Sequence, residues 1–173
     1  MQDAAPAAMT DEETAAFAAQ VFDCARAGDA QMLDRLVSSG LPVDLRNGKG
    51  DTLLMLASYH GHVEAVKVLL RHGADPLIAN DNNQLPIAGA AFKGDLPMIR
   101  LLVENGVPVD AAAQDGRTAL MLAAMFNRGE ILEYLLAQGA DPTHRDARGA
   151  TALVAAQTMG AVEAVERLQA LAG

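Results

Sequence analysis

The stretch Gly50-Asp-Thr-Leu-Leu-Met-Leu-Ala-Ser-Tyr-His-Gly-His-Val-Glu-Ala-Val-Lys-Val-Leu-Leu-Arg-His-Gly-Ala-Asp-Pro76 decides the fold, because the chain keeps returning to it. Gly40, Gly73, Gly106 and Gly139 fall 33 residues apart, as do Leu36, Leu69, Leu102, Leu135 and Leu168. A second ladder, Gly28, Gly61, Gly94, Asn127 and Gly160, keeps the same step. A fixed period in this range marks a solenoid of small supersecondary units, each too small to bury its apolar face without a neighbour. Within one period an apolar stretch, Leu53–Tyr59, is closed by Gly61, and a second, Val63–Arg71, by Gly73. Val63, Val66, Leu69 and Leu70 stand at helical spacing, and a polar segment with a proline follows over residues 74–81. The pattern predicts an all-α solenoid of about five helix-turn-helix repeats, each with an extended, β-hairpin-like finger.

The exceptions to the period are informative. Asn127 stands where other units have a glycine after the first helix, and Asn83 where Gly50, Gly116 and Gly149 occupy the finger turn. Asparagine is the non-glycine residue most at ease at positive φ, so these positions read as backbone geometry rather than ligand approach. The ends depart in another way. The slot of Val68, Leu101 and Tyr134 becomes Arg35 and Arg167; that of Leu56, Gly89, Leu122 and Ala155 becomes Asp23; that of Leu70, Val103 and Leu136 becomes Gln169. Polar residues replacing buried ones at the termini are what a stacked array requires of its caps. The expected layout is a flexible tail over 1–10 and one domain over 11–173, with an N-cap at 11–46, repeats at 47–79, 80–112 and 113–145, and a C-cap at 146–173. Thr10-Asp-Glu-Glu13 is a capping box that should start a helix reaching about Ala27.

Composition narrows the function. Of 173 residues 51% are hydrophobic but only 3% aromatic, with no Trp, so the core must be Ala, Leu, Val and Met. The net charge of -9 and the lack of a Lys/Arg run argue against nucleic acid, and no run of 18 apolar residues argues for a membrane span. A single cysteine makes no internal disulfide, so a cytoplasmic setting is expected, or a periplasmic one if a leader was removed before Met1. Met9-Thr-Asp-Glu-Glu13 reads as a natural start preceded by eight Ala-rich residues.

Gly50-Asp-Thr-Leu-Leu-Met-Leu-Ala57, His60-Gly-His-Val-Glu-Ala-Val-Lys-Val-Leu-Leu70 and Gly73-Ala-Asp-Pro76 resemble the ankyrin repeat family. They are echoed by Gly116-Arg-Thr-Ala-Leu-Met-Leu-Ala-Ala124 and Gly139-Ala-Asp-Pro142, and the resemblance covers about residues 14–172. The family's Thr-Pro-Leu-His reads Thr52-Leu-Leu-Met55, Leu85-Pro-Ile-Ala88, Thr118-Ala-Leu-Met121 and Thr151-Ala-Leu-Val154. The missing histidine implies loss of hydrogen bonds it usually makes between repeats. More narrowly, Tyr59-His-Gly-His62 with Ala88-Gly-Ala-Ala-Phe-Lys-Gly94 is similar to small bacterial ankyrin proteins, some of them associated with catalases and their haem supply.

No catalytic, metal or cofactor site is expected. His60 and His62 offer two nitrogens where a closed metal site needs about four ligands, and Cys24 occupies a small first-helix slot otherwise held by Ala57, Ala90, Ala123 and Ala156. Asp75 and Asp141 read as turn acceptors, and Glu64, Glu130 and Glu163 as favourable charges at helix starts. What is left is a surface. The last two positions before the Gly/Asn ladder are Arg26-Ala27, Tyr59-His60, Phe92-Lys93, Met125-Phe126 and Thr158-Met159. In the family such positions line the concave groove; they also suit a crease between stacked first helices. Finger tips supply Lys49, Asp51, Asp81, Asn82, Gln84, Asp115, Arg117 and Arg148. The first expectation is a monomeric, non-catalytic module that binds a protein through groove and tips. The alternative is an accessory factor or haem carrier supporting a bacterial catalase, with Tyr59 and His60 as axial ligands.

Overall fold

A computed structural model describes residues 10–171, so the expected tail lies outside the described residues except for Thr10. Those residues form ten helices in five pairs. The first helices are α1 (Asp11–Ala27), α3 (Leu53–Tyr59), α5 (Pro86–Lys93), α7 (Ala119–Met125) and α9 (Ala152–Met159). The second helices are α2 (Ala30–Ser38), α4 (Val63–Arg71), α6 (Leu96–Glu104), α8 (Gly129–Ala137) and α10 (Val162–Ala170). First helices stack on one another along the array, and each packs on the second helix of its own unit.

Local chemistry sets the helix starts. Glu13 N–H donates to the Thr10 hydroxyl and the Thr10 N–H to the Glu13 carboxylate, the expected capping box. Thr52, Thr118 and Thr151 likewise accept from the amides of Met55, Met121 and Val154, each such cap contributing about 1 kcal/mol. The third unit has Leu85 there and no side-chain cap; Pro86 opens α5 instead and removes one of the amides that would need a partner.

The core is one continuous cluster of small and aliphatic side chains, including Leu33, Leu54, Leu69, Ile87, Leu102, Leu120 and Leu135. Met55, Ala88 and Met121, at the family's histidine position, are buried apolar side chains, whereas Val154 is exposed. Other groups join the repeats. His62 donates from Nε2 to the Arg26 carbonyl at 2.7 Å, His72 Nε2 lies 2.7 Å from Asp34 Oδ1, and Asp44 accepts from the Asp75 amide at 2.9 Å. Two sequence expectations need correction. The slots of Leu70, Val103, Leu136, Leu101 and Tyr134 are half-buried rather than buried, because the outer helix layer leaves one side open. Cys24, too, is half-buried where Ala57, Ala90, Ala123 and Ala156 of the same slot are buried, because among the described residues no repeat covers that side of α1.

The fingers are hairpin-like turns with a single isolated bridge, Arg46 to Thr52, among the described residues. Side chains hold their shape. Asn47 Oδ1 accepts from the amides of Lys49 and Asp51, Asn80 Oδ1 from Asn82 and Gln84, and Asp146 Oδ1 from Arg148 and Ala150. The finger of the fourth unit has Ala113 at this position, and Asp115 takes over by accepting from the Arg117 amide.

Candidate partner-binding groove

Asn83 and Asn127 do adopt positive φ, 56° and 53°, but backbone geometry is only half of what Asn127 does. Each ladder residue faces the residue that starts the next unit's second helix. A Cβ at Gly28 would sit 2.5 Å from His62 Cγ, one at Gly61 3.3 Å from Asp95 Oδ2, and one at Gly94 3.1 Å from Arg128 Cζ. Where the facing residue is Ala161, the ladder residue is Asn127, and its Oδ1 accepts from the Ala164 amide of α10 at 3.0 Å. Side-chain volume is thus traded across the seam: glycine opposite His, Asp or Arg, and asparagine opposite alanine. Arg128 repeats the action of His62 one period on, donating to the Phe92 carbonyl at 3.3 Å. His62 is therefore a structural strut between repeats.

These seams bring successive first-helix ends side by side and hold the fingers alongside them. Between the two runs a recess of about 740 Å³, lined by Leu56, Tyr59, His60 and Phe92 on the helix side and by Lys49, Asp51, Asn82 and Gln84 on the finger side. An adjoining hollow joins Tyr59 and His60 to Lys93. A smaller recess of about 170 Å³ lies further along and contains Met125, Met159, Arg117 and Arg148. Phe92 and Phe126 sit between the two, ring centroids 4.9 Å apart and perpendicular. An edge-to-face pair of this kind contributes roughly 0.5–1.5 kcal/mol beyond its burial. The pair therefore fills the crease between units while Phe92 keeps 39% of its surface exposed; Met159 keeps 51%. Lys93 Nζ lies 4.9 Å from the centre of the Tyr59 ring, a cation over an aromatic face.

Two of the finger carboxylates expected at the surface are already paired within the fold. Asp81 meets Arg46 at 3.4 Å and Asp115 meets Arg117 at 3.7 Å. Asp51 is half-buried and accepts from the side-chain amides of Asn80 and Asn47. The carboxamides Asn47 and Asn80 line the groove and were not singled out from sequence; their signal is the polar ladder Asn47, Asn80, Asp146 broken at Ala113. Arg26, one of the first-helix-end positions marked from sequence, also lines it, as do Met55 and Leu56, which read from sequence as core.

Away from the groove, the two turn aspartates hold backbone. Asp75 Oδ1 accepts from the Leu77 amide at 2.8 Å. Asp141 accepts from the hydroxyl and amide of Thr143, which holds its carboxyl below the usual carboxylate range. Burial, then the charges of Asp29 and Asp23, pushes the Cys24 thiol up. Among the described residues no group of three or more His, Cys, Asp or Glu is placed to hold a metal ion, and no helix is long and apolar enough to cross a membrane.

Comparison with known proteins agrees with this architecture. The family described as ankyrin repeats (3 copies) matches residues 21–112, 73–146 and 88–172. An ankyrin repeat protein of Pseudomonas aeruginosa is 57% identical over 58 residues, 34% of each chain. A human ankyrin repeat domain-containing protein is 33% identical over 110 residues, covering 61% of this chain and 29% of that one. The Arabidopsis thaliana potassium channel AKT2/3 is 31% identical over 144 residues, 82% of this chain but 17% of the channel. The matched stretches span about a third or less of these relatives, so what is shared is the repeat array. Ankyrin repeats are generally protein–protein interaction modules. With the period, the paired helices and the family match in agreement, this chain belongs to the ankyrin repeat family.

Proposed function

We propose that the chain is a non-catalytic module that holds one protein partner in the groove between its fingers and first helices. The observation that carries this reading is the combination of an open recess of about 740 Å³ with the half-exposed aromatic floor of Tyr59 and Phe92. The chain has only 3% aromatic residues, yet Tyr59, Phe92 and Phe126 gather here. Aromatic anchors ringed by polar groups are the usual composition of an interface centre. Met125, Met159, Arg117 and Arg148 extend the surface along the second recess, and Asp81 and Asp115 position the cations beside them. On this reading the protein acts as a monomer, in the cytoplasm, on a protein rather than on nucleic acid.

The test is replacement of Phe92 and Phe126 together by alanine. Partner affinity should fall by about 2 kcal/mol or more, roughly thirtyfold, with far-UV circular dichroism unchanged. Unchanged affinity sinks the groove reading. Haemin titrated into the wild-type chain should give no Soret shift that depends on His60 or Tyr59; a shift abolished by His60→Ala would favour a haem carrier instead.

A further inference from the structure

The charges facing the groove are distributed unlike those of the whole chain. The protein carries a net charge of -9, yet the lining of the large recess holds two cations, Arg26 and Lys49, and one carboxylate, Asp51. That carboxylate is engaged on both oxygens, by Asn80 at 2.9 Å and Asn47 at 3.2 Å. Asp23, Asp81 and Asp115, which flank the groove, are paired with Arg26, Arg46 and Arg117. Of the cations that line the two recesses and the adjoining hollow, three have no carboxylate within ion-pair distance among the described residues: Lys49 on the finger wall, Lys93 beside the Tyr59 ring, and Arg148 in the second recess. The other carboxylates of these hollows, Asp95 beside Lys93 and Asp146 beside Arg148, keep their charge but turn Oδ1 to backbone amides of Met98 and of Arg148 and Ala150, whereas Lys49 and Lys93 have no carboxylate contact among the described residues.

From this complementarity we propose that the groove's occupant is an extended, acidic segment of another protein. Its apolar side chains seat on Tyr59 and Phe92, and flanking Asp or Glu side chains meet Lys49 on one wall and Lys93 on the other. The unengaged amide side chain of Asn82, at the finger rim, suits the backbone of an extended chain. A basic or highly hydrophobic segment is disfavoured, the first by the unpaired lysines and the second by the polar finger wall. The inference rests on the groove reading above and goes further by fixing the chemistry of what fills it. It also bears on encounter, since a recess less acidic than the rest of a chain of net charge -9 orients an acidic partner toward it and away from the remaining faces.

Random peptides of ~12 residues displayed on phage, long enough to lie extended across the groove, test it. They are selected on the full chain, and those equally retained by the Phe92→Ala/Phe126→Ala double variant are discarded. The survivors should be enriched in Asp and Glu around an aromatic or aliphatic residue. One of them, synthesised and labelled, should bind about tenfold more weakly at roughly 300 mM than at roughly 50 mM NaCl, as screening shortens the reach of the lysines. The Lys49→Glu/Lys93→Glu variant, with helical content unchanged, should weaken it about tenfold again. Survivors of neutral or basic composition, or binding indifferent to salt and to the lysine reversal, overturn the acidic inference and leave the groove reading standing. A selection that yields no peptide sensitive to the double variant overturns both.

Discussion

The Asn127 side-chain oxygen caps the start of α10, accepting from the Ala164 amide at 3.0 Å across the seam between two repeats. In the first and third units an aspartate of the second helix's own N-terminus does this work, Asp29 for Met32 and Asp95 for Met98. The last unit has Ala161 at that place, so the preceding unit supplies the cap. One residue thus meets two demands, a positive φ of its own and a hydrogen bond for its neighbour.

Replacing Asn127 by glycine keeps the φ but loses the cap. We expect a loss of about 0.5–1 kcal/mol in urea unfolding, the glycine's ease at positive φ offsetting part of the missing bond. Asn127→Ala should cost more, because alanine adds roughly 1–2 kcal/mol of left-handed strain. Ala161→Asp should stabilise the glycine variant more than it stabilises wild type; equal effects in the two backgrounds would contradict a shared capping role.

The seam between Gly28 and His62 should behave as the mirror case. Asparagine tolerates φ 74°, yet its Cβ would fall 2.5 Å from His62 Cγ, so Gly28→Asn should destabilise by about 1–3 kcal/mol. Adding His62→Ala recreates the arrangement of Asn127 and Ala161 and should recover most of that loss. Additive damage in the double variant would refute the volume trade.

Cys24 should be a sluggish thiol. Its protonated form is favoured first by burial and then by Asp29 and Asp23, so the pH midpoint of its alkylation by iodoacetamide should lie above that of a free thiol measured alongside. Asp23→Asn should bring the midpoint down, and a wild-type midpoint at or below the free-thiol value would be inconsistent with this environment.

Arg167 lies on α10, the last helix of the described residues. It continues the slot of Val68, Leu101 and Tyr134, is exposed, and forms an ion pair with Glu133 of the preceding unit. Arg167→Leu would add an apolar side chain to the exposed face of α10, near which Leu171 is already exposed. Sedimentation should then show concentration-dependent association that wild type lacks.

The helix boundaries were legible because each is written five times: Leu53–Tyr59 and Val63–Arg71 end where the second and first glycine ladders place them. The stripe of Tyr59, Phe92, Met125 and Phe126 was legible for the opposite reason, as residues that change at a position that repeats. The seam was not. Its N-terminal positions, Asp29, His62, Asp95, Arg128 and Ala161, look unordered along the chain and become regular only when each is set against the ladder residue of the preceding unit. The same holds for the groove's charge. Asp81 and Asp51 find Arg46 and Asn80 across neighbouring fingers, and periodicity carries no record of those pairings.

If the partner is seated in the groove, Phe92 lies against it and the outer helix layer does not. A photo-crosslinking benzoylphenylalanine placed at Phe92, with the same group at exposed Glu104 on the outer helix layer as the reference, tests this seating most directly. Irradiated in cells of the native host, the Phe92 position should yield one dominant adduct that is lost when Lys49 and Lys93 are reversed to Glu, and the Glu104 position should not yield it. Equal adducts from both positions, or an adduct from Glu104 alone, would contradict the account.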